Sequence, residues 1–77
     1  MAKAKVLGIY VHYKNGTHYR VMEIAQHTEK DEQLVIYSEV GKVGQVWARP
    51  RAMFEETVTL EDGKVVDRFK YLGGGLD

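Results

Sequence analysis

Six residues carry the side chains best suited to hold a ligand: His12, His27, Glu29, Tyr37, Trp47 and Arg49. Arg49 precedes Pro50, whose ring stiffens the chain, so its guanidinium reads as a preorganised donor to a carboxylate or phosphate. The equally weighted alternative is an internal salt bridge to Glu29 or Glu39. Trp47 and Tyr37 offer flat faces for the apolar part of a ligand, and His12 and His27 offer ring N–H donors. The run His27-Thr28-Glu29 sets a histidine beside a carboxylate, as an acid–base catalyst would. The same run orders a loop if Thr28 caps a turn and Asp31 supplies the reciprocal carboxylate, which is the favoured reading.

Two other chemistries are testable on the residue types. Lys14, Arg20, Lys42, Arg49 and Arg51 fall in two basic segments, and with exposed tyrosines they would suit a nucleic acid. Zinc needs three or four ligands, and strand alternation sets His18 on the face opposite His12, so a metal site is not expected. There is no P-loop, GxGxxG, HExxH or serine–histidine–aspartate arrangement, so no nucleophile is apparent and enzyme status stays open, with a noncatalytic role favoured. No cofactor is implied.

The elements that must position these groups read as strands and tight turns. Residues 9–14 are β-branched and aromatic, and Asn15-Gly16 is a strong hairpin signal. A long second strand spans 17–27, and 28–33 form a charged loop. Strands follow at 34–40 and 45–49, then Pro50 and one 3₁₀ turn near 50–55. A second hairpin spans 57–69 around Asp62-Gly63. A two-residue turn would pair Val11 with Arg20 and Tyr10 with Val21. Neither face of the second strand is cleanly apolar, so it is expected to bend partway. In the third strand, alternation alone does not decide which face is buried. The core candidates are Val11, Val21, Ile24, Val35, Ile36, Val46, Ala48, Met53, Phe54, Val58, Leu60 and Val65.

Length and charge bound the function. The chain has 77 residues, 11 basic and 11 acidic, with no cysteine. That is one domain too small for a deep cofactor cleft, without a disulfide or thiolate staple. Zero net charge argues against strong nonspecific nucleic-acid binding. It conceals alternating segments: 1–22 and 41–54 are basic, 23–40 and 55–67 acidic on balance. No signal peptide or membrane-length apolar stretch appears, so a cytoplasmic location is the expectation.

The pattern Gly8-x-Tyr10-x-His12-Tyr13-Lys14-x-Gly16 runs on through Tyr19-x-Val21 and Ala25-x-His27-Thr28-Glu29. With Val35-x-Tyr37, Trp47-x-Arg49-Pro50 and Met53-Phe54, it resembles the bacterial DUF1653 family over about residues 7–58. The family pattern has valine where this chain has Ala48, and lacks the inserted Asn15. The resemblance implies a small protein of unknown function with an SH3-type barrel. The expected fold is therefore all-β: a small SH3-like barrel or roll of five to six antiparallel strands. It would occupy about 6–70 of a single domain, with a flexible tail at 72–77. The expected function is a binding module for a small anionic or peptidic ligand. The alternatives are nucleic-acid binding and a small enzyme using His27 and Glu29. Oligomeric state is not legible in the sequence.

Overall fold

The computed structural model describes residues 3–76. It is all-β, with seven strands and one helical turn: β1 (Gly8–His12), β2 (His18–Gln26), β3 (Gln33–Glu39), β4 (Trp47–Pro50), α1 (Arg51–Phe54), β5 (Thr57–Thr59), β6 (Val65–Asp67) and β7 (Phe69–Gly74). Five strands form one antiparallel sheet in the order β4-β3-β2-β1-β7, and β5 and β6 form a separate hairpin. The expected closed barrel is thus corrected to an open sheet, with β4 and β7 as its edges. Among the described residues no helix is long and apolar enough to cross a membrane.

The first hairpin differs from the expected register. Val11 pairs with His18 and Ile9 with Arg20. Gly16 has positive φ but Asn15 does not, so the type I′ turn, which needs both, is absent. The His12 N–H donates to the Thr17 carbonyl at 3.0 Å, leaving a four-residue loop at 13–16. Each partner moves by two residues, an even number, so the side chains keep their faces. The expected bend in β2 is a bulge between Val21 and Glu23. Before it Val21 lies opposite Tyr37; after it Ile24 lies opposite Val35, so the apolar positions stay on one side. The buried alternation of β3 is therefore Val35 and Tyr37.

Pro50 is accommodated as the last residue of β4, opposite Leu34, because an edge strand has no ladder partner on its outer side. The turn after it is α rather than the expected 3₁₀: the Glu55 N–H donates to the Arg51 carbonyl at 3.0 Å, four residues back.

The largest correction lies at the C-terminal end. Residues 72–74, expected in a flexible tail, belong to β7 instead, and Leu76 beyond them is bonded to the N-terminal segment. Gly74 pairs with Gly8, Gly73 with Ile9, and the Leu76 N–H donates to the Val6 carbonyl at 2.8 Å. Asp77, the last residue of that expected tail, lies outside the described residues. Gly73 and Gly74 both have positive φ, which glycine adopts without the steric cost a side chain would add.

The core is aromatic. Tyr10, Phe54 and Phe69 are the largest fully buried side chains, with Val21 and Val35 between them. Val46, Met53 and Val65, expected inside, are exposed, as is Ala48. A small domain gains more buried area per ordered residue from rings than from short aliphatics. Phe54 reaches down from α1 onto the sheet, stacking on Phe69 with centroids 4.2 Å apart and planes 6° apart. It also meets Tyr10 edge-on at 5.1 Å. The Tyr10 hydroxyl donates to the Lys3 carbonyl and accepts the Lys5 N–H, fixing the N-terminal segment over the core. Burial is the main cause raising its pKa above the usual phenol value.

Candidate functional site

The inner face of the five-stranded sheet carries the candidate site. Register places Tyr37 opposite Trp47 and Val35 opposite Arg49, so Tyr37, Trp47 and Arg49 share that face. His12 joins them from β1, opposite Phe69 of β7. Tyr19 of β2 bridges the group, with its ring 5.4 Å from Tyr37, 6.0 Å from Trp47 and 5.8 Å from Phe69. Tyr37 is buried; Tyr19, Trp47, Arg49 and His12 are half-buried.

Arg49 is held on two sides. Its Nε–H donates to the Tyr37 hydroxyl at 3.2 Å, and its guanidinium carbon lies 5.5 Å from the Phe69 centroid. Phe54 stacks on the Phe69 ring as well, so this one ring supports both the core and the guanidinium. Among the described residues no carboxylate reaches ion-pair distance of Arg49, so the expected alternative of a bridge to Glu29 or Glu39 is not formed. Glu39 instead faces Lys42 at 3.4 Å. The Nη groups of Arg49 bond no described residue, and no described side-chain nitrogen is both buried and unpartnered. Those donors therefore open to solvent.

His12 meets Phe69 edge-on at 5.1 Å. Its Nδ1 accepts the Lys14 N–H at 3.2 Å, which assigns the proton of the neutral ring to Nε2. Burial lowers its pKa below the ordinary value of 6.5, and the charges of Arg49, Arg68 and Lys14 lower it further. A cleft of about 730 Å³ opens beside it, between the end of β1 and the β5–β6 hairpin, with a largely apolar lining that includes Val11, Leu60 and Val65.

His27 and Glu29 do not join this group. The His27 Nδ1 accepts the Glu29 backbone N–H at 3.0 Å, and the His27 N–H donates to the Glu32 carbonyl at 2.8 Å. The pair orders the β2–β3 loop, with His27 in the capping role expected of Thr28. The Glu29 carboxylate makes no bond to the His27 ring. The acid–base pair expected of an enzyme is therefore not assembled.

The basic residues scatter. Arg20 is exposed on the outer face, opposite Ile9 and Ser38, whereas Arg49 is on the inner one. Lys14 lies in the first turn and Lys42 after β3. Arg51 is engaged by Glu55 at 3.1 Å and by Gln33 at 2.7 Å. Among the described residues no group of three or more potential metal ligands converges.

Tyr19 and Phe69 are site residues that the candidate set lacked. Strand alternation sets Tyr19 on the His12 face. Phe69 has no local signal, because its place follows from the pairing of β7 with β1.

A search among curated proteins finds no match. A crystal structure of a protein from Bordetella bronchiseptica, described as belonging to DUF1653, is 33% identical. It aligns over 91% of this chain and 90% of that one with a TM-score of 0.72. The model of the same family, described as a protein of unknown function, matches residues 8–71. Since that match spans β1 to β7 and takes in Tyr19, Tyr37, Trp47, Arg49 and Phe69, the chain belongs to the DUF1653 family.

Proposed function

We propose that the chain is a noncatalytic binding module for a small anionic ligand, or for a peptide that presents a carboxylate, held at Arg49. One observation carries this reading. Arg49 is half-buried and fixed by Tyr37 and Phe69, yet no described carboxylate neutralises it. A partly desolvated cation without a counter-charge is costly, and an incoming anion offsets that cost. The two Nη groups match a carboxylate or phosphate bidentately. Trp47 and Tyr19, half-buried beside them, offer flat surface to the rest of the ligand. His12 completes the candidate set on this face; His27 and Glu29 leave it.

Backbone and indole N–H shifts, followed while small carboxylates, phosphates and acidic peptides are added, test the reading. Clustered shifts at Trp47, Arg49, Tyr37 and Tyr19, lost in Arg49→Gln, are the expected result. Shifts scattered over the surface overturn it. Binding of a single-stranded oligonucleotide that weakens steeply with salt and moves Lys14, Arg20, Lys42 and Arg51 would replace it with the nucleic-acid reading.

A further inference from the structure

Arg49 and His12 come from strands at different positions in the sheet, yet each packs on the Phe69 ring. The guanidinium lies over the ring, and the imidazole meets it edge-on. Phe54 stacks on the same ring, so the two polar groups share the surroundings that it leaves. Both also keep unused donors. Nη1 and Nη2 of Arg49 and Nε2 of His12 have no partner among the described residues, and all three open to solvent, since no buried side-chain nitrogen of a described residue lacks a partner. The backbone N–H of Lys14 fixes the ring by its Nδ1, so the free nitrogen is the one that carries the proton.

We propose that His12 is a second donor to the anion held at Arg49, and that it takes up a proton from solvent as the anion binds. The proposal rests on the reading of Arg49 as the anion's primary ligand and adds its coupling to pH. The charged groups around His12 are Arg49 from β4, Arg68 between β6 and β7, and Lys14 from the first turn. Asp67 of β6 and Lys70 of β7 line the adjoining cleft, and Arg68 is bridged to Glu56 at 2.7 Å. Burial, and beyond it repulsion from the three cations, disfavours a proton on the imidazole, consistent with its lowered pKa. An anion between Arg49 and His12 cancels part of that repulsion and accepts a stronger bond from imidazolium than from imidazole. By linkage, whatever raises proton affinity on anion binding raises anion affinity on protonation by the same factor.

Sulfate is the probe, because its charge is constant over the range in which histidine titrates. The ring protons of the three histidines are followed by NMR as pH is lowered, in sodium sulfate and in sodium chloride of matched ionic strength. The expected result is that sulfate raises the His12 midpoint by about one pH unit, equivalent to about tenfold tighter binding to the protonated form. Arg49→Gln is expected to abolish the shift. His12→Gln is expected to bind sulfate with an affinity that no longer varies with pH. If sulfate moves the Trp47 and Arg49 resonances but not the His12 midpoint, the His12 proposal fails and the Arg49 reading stands. If sulfate moves neither, both fail. If His12→Gln retains the full pH dependence, the proton goes elsewhere and the proposal is overturned.

Discussion

The turn after β1 and the loop after β2 are built on the same local bond. In each, a histidine Nδ1 accepts the backbone N–H two residues on, from Lys14 at 3.2 Å in the first and from Glu29 at 3.0 Å in the second. The surroundings then diverge. His12 is the last residue of a strand, packs on Phe69, and lies within the field of Arg49, Arg68 and Lys14. His27 follows the end of its strand and has no ring contact among the described residues. The shared motif orders a turn in both places. Only the tertiary partners brought by β4 and β7 give one of the two rings anything further to do.

The comparison breaks most visibly at Phe69. Phe69→Ala removes the ring that Phe54, Arg49 and His12 share, and it is expected to cost about 3–5 kcal/mol in urea unfolding. A cost below about 1 kcal/mol would mean that the ring does not support the inner face.

The next effect is on acid stability. The native His12 titrates below 6.5, and the unfolded chain regains the ordinary value. Between those two values the unfolded state binds more protons, so this group's contribution to stability is present above the ordinary value. It is lost as pH falls through that value, and the loss levels off below the lowered native one. Unfolding curves compared between about pH 7.5 and pH 5 should show His12→Gln losing less stability than the parent. A loss equal to the parent's would remove His12 from the acid response.

The smallest effect is expected at Glu29. The loop uses only its backbone N–H, so Glu29→Gln should change stability by less than about 0.5 kcal/mol. A larger loss would show that its carboxylate acts after all.

Strands β1 to β6 were legible because their signals are local, whereas the first turn is not the two-residue one that Asn15-Gly16 suggests. The mixed faces of the second strand gave warning of the bulge that keeps both Val21 and Ile24 packed on the inner side. Tyr37, Trp47 and Arg49 were recognisable as one candidate group, and a direct register of β3 on β4 brings them together. His27 misled because a histidine beside a glutamate in sequence has its neighbour's backbone within reach before its carboxylate. Strand β7 was illegible for a different reason. A glycine run has low strand propensity, and nothing near Gly73 says that Ile9 waits to pair with it. The core followed suit: Phe69 and Tyr10 could be placed inside only once that pairing was known.

That pairing also fixes an order of events during synthesis. β1 emerges from the ribosome almost a whole domain before β7, and until β7 arrives Tyr10 lacks Tyr71 and Phe54 lacks Phe69. The hairpins of neighbouring strands can form as they appear, but the sheet's most distant pairing closes last. A nascent chain ending before Phe69 therefore exposes the rings that the finished protein hides, and it is most open to capture by a chaperone at that stage.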